Sequence, residues 1–230
     1  MIFSSKNMAE ISSLQKKVLD LFSKSHLKDK FYWTGGTLLS LFYLHHRQSK
    51  DLDFFNDKPF SYNQIIGFVR NLKKQLKLKE IEEKKIFDRW EFFLHDKEEL
   101  RMEFVFYEHP KIKSRKKWQG IFIDSLEDIA ANKVMAFFDR NDPKDLIDLY
   151  FLLVKKKFKV KTLLRLAEKK FGVKLTEGSF WSESFKSLKD LNKISPLLIT
   201  KTKEEKQKIT NGIKNYFTSH STGYLWKKLR

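Results

Sequence analysis

Apolar residues along this chain follow two spacings, one of period 3.6 and one of period 2, and the way they alternate predicts helices mixed with strands before the chain turns wholly helical. Ile11, Leu14, Val18, Leu21 and Phe22 recur at helical spacing and predict an amphipathic N-terminal helix. Phe31-Tyr32-Trp33 reads as a short aromatic strand ending at Gly35-Gly36, and Thr37 to His45, rich in leucine, as a buried helix. Asp51-Leu52-Asp53-Phe54-Phe55 alternates as a strand does. Ser61 is placed to cap a helix running to about Leu76, with Ile65, Ile66, Val69 and Leu72 on one face. Ile81 to Phe87, Trp90 to Leu94, Met102 to Tyr107 and Ile121 to Ile123 predict further strands. Ser125 with Asp128 resembles a capping box that opens a helix through Phe138. Pro143 suits the first turn of a helix to Val154, and Val160–Phe171, Phe180–Leu191 and Lys203–Phe217 complete a helical C-terminal part.

Composition narrows the partners. Of the residues, 41% are hydrophobic and 15% aromatic, which is ample for a core and excludes global disorder. The chain carries 47 basic and 29 acidic side chains, and a net charge of +18 favours an anionic partner such as nucleic acid, nucleotide or anionic lipid. The basic residues are mostly Lys and Phe reaches 22, a bias that an AT-rich coding sequence would also give. Absence of Cys excludes disulfides, Cys-ligated zinc, iron–sulfur clusters and thiol nucleophiles. No stretch approaches the ~18 consecutive apolar residues of a membrane span. Met1 to Ser13 lacks the apolar region of a signal peptide, so a soluble, cytoplasmic chain is expected. Charge also divides the chain: residues 1–150 hold 27 basic and 23 acidic side chains, residues 151–230 hold 20 and 6. Two domains are therefore expected, 1–150 and a basic helical 151–230.

Candidate chemistry sits in the first part. A strand that breaks at Gly35-Gly36-Thr37 into a helix leaves backbone N–H groups free to cradle phosphate, or simply turns the chain. On the next strand Asp51 and Asp53 point to one face, where two carboxylates repel unless a divalent cation or solvent relieves them. Glu103 repeats the pattern, an acid inside an aromatic strand, either as a third metal ligand or as a partner of Arg101. Arg47 and Ser49 precede the Asp pair and either reach a triphosphate or shape the turn. Lys133 falls between Ile129 and Phe137 on the inward face of its helix, so its ammonium should meet an anion. That anion is a phosphate, the reading preferred, or Asp145 and Asp148, three apart on the next helix. Lys111 to Lys117, with Trp118 next, holds five basic residues that could stack on RNA, although a solvated hairpin tip is the plainer reading.

Thr34-Gly35-Gly36-Thr37 followed by His46-Arg47-Gln48-Ser49-Lys50-Asp51-Leu52-Asp53 resembles the first two motifs of the AbiEii/AbiGii toxin family. Asp128 to Lys133 and Asp139 to Tyr150 resemble its third and fourth. The resemblance implies an α/β (α+β) polymerase-β-like nucleotidyltransferase fold, a mixed sheet with flanking helices followed by a C-terminal helical bundle. It implies a toxin of an abortive-infection or type IV toxin–antitoxin system. Gly35, Gly36, Thr37, Arg47 and Ser49 would contact the nucleotide, Asp51, Asp53 and Glu103 would bind Mg2+, and Lys133, Asp145 and Asp148 would complete the catalytic set. Lys144 stands where an Arg is common, which keeps charge but loses bidentate geometry. The function expected is Mg2+-dependent transfer of a nucleoside monophosphate from an NTP to an acceptor hydroxyl, with RNA, and tRNA in particular, as acceptor and a cognate antitoxin as possible partner. Two rivals remain: a small-molecule, antibiotic-type nucleotidyltransferase, and a catalytically silent nucleotide- or RNA-binding module.

Overall fold

The computed structural model describes residues 11–200 and 202–229. The chain divides into two compact units, the first ending at Leu126 and the second starting at Glu127. The charge boundary near Tyr150 falls inside a helix of the second unit, so the helices bearing Lys133, Asp145 and Asp148 go with the helical part.

The first unit is built on a seven-stranded mixed sheet. Its strands are β1 (Tyr32–Thr34), β2 (Leu52–Asn56), β3 (Glu80–Ile86), β4 (Arg89–His95), β5 (Glu99–Phe106), β6 (Lys116–Trp118) and β7 (Ile121–Ile123). They lie in the order β3-β4-β5-β2-β1-β7-β6, with β2–β5 and β1–β7 parallel and the other neighbours antiparallel. Period-two alternation gives the sheet two unlike faces. Leu52, Phe54, Met102, Phe104, Phe92 and Leu94 point to one side and are buried. Helix α1 (Ser13–Lys24) covers that side by stacking Phe22 on Phe54 at 3.9 Å between ring centroids. After α2 (Gly35–Leu38), helix α3 (Tyr62–Leu76) adds Phe68 edge-on to Phe104. The opposite side carries Asp53, Glu103 and Glu91, and it is there that the chemistry gathers.

Local signals explain the element ends. Ser12 and Gln15 close a capping box at α1, and the Ser61 N–H donates to the Gln64 side chain at 2.9 Å at α3. The helix expected from Thr37 starts two residues earlier, as α2 (Gly35–Leu38), and widens into a π-helical turn over Leu39–Leu44. The His45 N–H then closes on the Ser40 carbonyl at 2.8 Å, in a left-handed residue that ends the helix. Lys111 to Lys117 is not the hairpin tip. The β6–β7 turn is Gln119-Gly120, both at positive φ, and Lys116 and Lys117 lie within β6.

The second unit is helical: α4 (Leu126–Arg140), α5 (Pro143–Val154), α6 (Val160–Phe171), α7 (Glu177–Ser187), a 3-10 segment over Leu188–Leu197, and α8 (Lys203–Leu229). Pro143 opens α5, and Asp142 accepts the Lys144 N–H at 2.9 Å. Phe137, Phe180, Trp181, Phe217, Leu149 and Ile213 fill the core. α8 runs twelve residues beyond the expected Phe217. Its extension lacks an apolar stripe, and it is tertiary contacts that hold it. His220 stacks on Trp181, and the Ser221 hydroxyl donates to the Trp181 carbonyl at 3.1 Å. Among the described residues no helix is long and apolar enough to cross a membrane.

Candidate active site

The strand-to-helix turn after β1 is fixed by what surrounds its glycines. Gly35 takes φ +80°, a conformation L-residues rarely adopt, and a Cβ there would lie 1.6 Å from the Asp53 Oδ2. A Cβ on Gly36 would meet Arg47 Nη2 at 2.9 Å and Ser49 Oγ at 3.0 Å. The Asp53 carboxylate therefore lies directly against the backbone of Gly35, and Arg47 and Ser49 close over the first helical turn. Two hydroxyls stitch that turn to the loop before β2: Thr37 donates to the Asp51 carbonyl and Ser40 to the Arg47 carbonyl. Below them Asp124 is buried, accepting from Thr34 Oγ1 at 3.0 Å, while its carbonyl accepts from the Tyr43 hydroxyl at 2.8 Å.

Strand register lines up the acids. Asp53 on β2 stands opposite Glu103 on β5, and Glu103 stands opposite Glu91 on β4, so three buried carboxylates run side by side across three strands. Like charges placed opposite each other destabilise a sheet. Two guanidiniums offset part of this. Arg101 reaches Asp51 at 2.9 Å and Glu91 at 3.4 Å, and Arg89 lies 3.4 Å from Glu103 and 3.7 Å from Glu91. Four carboxylates against two guanidiniums leave an excess of negative charge. Burial first, then the charges of Glu103 and Asp51, push the Asp53 carboxyl well above the usual carboxylate range.

Hard carboxylate oxygens carrying excess negative charge suit a divalent cation, so Asp51, Asp53 and Glu103 fit that role in donor chemistry. Their positions do not yet converge: among the described residues no three acidic or histidine side chains surround a common point, and Asp51 is turned toward Arg101.

The helical unit holds a second group. Lys133 Nζ lies 2.9 Å from Asp145 Oδ1 and 2.7 Å from Asp148 Oδ2, with both carboxylates fully buried. Arg140 adds two hydrogen bonds to Asp145, at 2.8 and 3.0 Å. Burial alone would raise the Asp145 carboxyl, but the Lys133 charge and the Arg140 hydrogen bonds outweigh it and hold the group below its ordinary range. Asp128, in the first turn of α4, meets Lys170 at 2.9 Å with both side chains buried.

Of the residues singled out in the sequence, Gly35, Gly36, Thr37, Arg47, Ser49, Asp51, Asp53 and Glu103 lie together in the sheet unit. Lys133, Asp145 and Asp148 lie together in the helical unit. Sequence reasoning missed Glu91, although it carries the signal that marked Glu103, an acid inside an aromatic strand. It also gave no role to Arg101 as a partner of Asp51, to Arg140, or to Asp124 and Lys170, whose partners are far away along the chain.

A seven-stranded mixed sheet with flanking helices, followed by a helical unit, defines an α/β protein. JHP933 from Helicobacter pylori shares that fold with a TM-score of 0.53 at 22% identity, the match covering 97% of this chain and 99% of that one. A second crystal structure from H. pylori aligns with a TM-score of 0.55, also at 22% identity, over 94% and 98% of the two chains. The chain belongs to the nucleotidyl transferase AbiEii toxin family of type IV toxin–antitoxin systems, whose family model matches residues 17–219. The uncharacterized protein aq_aa25 of Aquifex aeolicus (strain VF5) is 32% identical over 168 residues, 71% of this chain and 77% of that protein.

Proposed function

We propose that this protein transfers a nucleoside monophosphate from an NTP to an acceptor hydroxyl on RNA, with Mg2+ as cofactor. The observation that carries the reading is the Asp53–Glu103 pair, buried side by side, with Asp53 pressed against Gly35 where no side chain fits. In this reading the backbone at Gly35, Gly36 and Thr37 receives the outer phosphates, and Arg47 and Ser49, packed on Gly36, flank them. Asp51, Asp53 and Glu103 would hold Mg2+, which when bound neutralises phosphate charge during in-line displacement. The acceptor oxygen bonds to the α-phosphorus, the bond to the β-phosphate oxygen breaks, and pyrophosphate leaves. Glu103 takes up the hydroxyl proton. Positioning and charge neutralisation supply most of the acceleration in such transfers. For Lys133, Asp145 and Asp148 the observed ion pairs favour a role in holding the helical unit, over direct contact between Lys133 and phosphate.

Residues 151–230, with 20 basic side chains and 6 acidic ones, support a polyanionic acceptor such as RNA, tRNA being the form a translation-blocking toxin would modify. A cationic antibiotic would need an acidic acceptor pocket. Membership of a type IV toxin–antitoxin family supports a cognate antitoxin. With NTP and RNA as substrates, the reaction would run in the cytoplasm. Incubation with total RNA, Mg2+ and each α-labelled NTP in turn tests the reading: label should enter RNA. Label entering only small molecules would favour the antibiotic-type enzyme, and no label from any nucleotide would favour a silent binding module.

A further inference from the structure

The basic run from Lys111 and the aromatic residues beyond the carboxylates belong to one region of the sheet unit. Past Asp53 and Glu103 the same sheet face continues through Phe55, opposite Val105, to Tyr107, whose N–H pairs with the Asn56 carbonyl at 2.9 Å. Phe55 and Tyr107 lie 4.7 Å apart between ring centroids, and Tyr107 and His109 are again 4.7 Å apart. Tyr32, opposite Phe55, carries the Arg115 guanidinium at 3.3 Å from its ring centroid. Same-face positions on a strand recur about every 6.7 Å, so the acids give way within two steps to rings, Phe55 and Tyr107 half-exposed, His109 exposed and Tyr32 buried.

At the far end of β1 and β2 from Thr34 and Asp53 a cleft of about 570 Å³ is lined by Tyr32 and by Asn56, the neighbour of Phe55 in sequence. Arg115 organises its wall with two hydrogen bonds to Asp57, at 2.5 and 2.7 Å, which consume the charge of that acid. Lys30, Lys58 and Lys111 line the same cleft, are exposed, and form no ion pair among the described residues; Asp29 is the remaining acid. A fixed aromatic row and an unneutralised cationic rim suit a linear ligand that alternates flat bases with phosphates. A duplex would hide the base faces.

We infer that this face is the path of a single-stranded nucleic-acid acceptor, bases stacking on Phe55, Tyr107 and His109 and phosphates lying against Lys58 and Lys111, with its end directed to Asp53 and Glu103. The inference rests on the RNA-acceptor reading and deepens it by locating the acceptor.

Fluorescence anisotropy with a labelled single-stranded RNA of about twelve nucleotides, without NTP or Mg2+, tests the path independently of catalysis. The full chain should bind, and more tightly than it binds the same RNA in a duplex. Lys58→Glu combined with Lys111→Glu should weaken binding at least tenfold and flatten the slope of log affinity against log salt by about 1.4, for two phosphates on a single strand. Tyr107→Ala should weaken it by roughly tenfold. NTP binding by the lysine variant, measured by equilibrium dialysis, should be unchanged. Melting curves identify a variant that fails to fold, and the surface lysine pair keeps the test decisive if Tyr107→Ala does. Unchanged RNA affinity and salt slope in the lysine variant would overturn the path while leaving the RNA reading standing. A full chain that binds no RNA even at low salt would overturn both.

Discussion

The sheet unit and the helical unit each bury carboxylates, and they balance them in opposite ways. In the helical unit Asp145 and Asp148 face Lys133 and Arg140, two charges against two, at distances of 2.7 to 3.0 Å, and Asp145 is held low. In the sheet unit Asp51, Asp53, Glu91 and Glu103 pair, among the described residues, with Arg89 and Arg101, most contacts are 3.4 Å or longer, and Asp53 is forced high. A cluster that neutralises itself contributes to holding a fold. One left with excess negative charge in a fixed array is suited to an incoming cation and its phosphates, and it costs stability until they arrive. On the proposed function, that difference would separate a structural acid from a functional one where burial alone does not.

Substitutions can break that contrast in both directions. Lys133→Met leaves two buried carboxylates short of a partner and should cost ~3–5 kcal/mol, lowering the melting temperature by roughly 10 °C. Transfer measured well below that temperature should persist. Normal melting with abolished nucleotide binding would reverse the assignment and give Lys133 to the phosphates. Asp53→Asn should do the opposite, cutting nucleotidyl transfer at least about a hundredfold without lowering the melting temperature, because it removes a repelled charge. Wild-type turnover in Asp53→Asn would end the account of the acidic face.

Arg101 sharpens the comparison further. It is the cation now opposite Asp51, so Arg101→Met should free that carboxylate and tighten Mg2+ binding by about fivefold in calorimetric titration, a modest gain because both partners are partly exposed. Weaker binding would mean that Arg101 positions Asp51 and does not compete for it. The smallest effect concerns acid. Asp145 has a depressed carboxyl, so its contribution to stability is full above its unfolded pKa of about 3.9 and is lost as pH falls through the lower folded value. Denaturant unfolding of the full chain should therefore weaken below about pH 4, and Asp145→Asn should flatten that dependence.

Much of this was legible beforehand. Alternation around Asp53 and Glu103 gave their face, and the Gly35-Gly36 break gave the turn beside them, because period and turn chemistry are local properties. The basic run at Lys111 to Lys117 was less legible. Its residues are alike in type but not in surroundings: Arg115 folds onto Tyr32 and Asp57 while Lys111 stays exposed at the cleft.

By itself the sequence determined most of the strands and helices, the face that Asp53 and Glu103 take on their own strands and the family to which the chain belongs, since each of these is written in spacing along the chain. Tertiary structure alone decided which charges meet. Asp53 acquires Glu103 as its neighbour, and Glu103 acquires Glu91, only through strand register, and Arg101 reaches back fifty residues to Asp51. Lys133 faced a choice between phosphate and carboxylate that helix periodicity could not make. A period fixes the direction in which a side chain points, whereas its partner is set by the packing of segments far apart in sequence, and the partner determines whether a buried charge stabilises the fold or is left for a ligand.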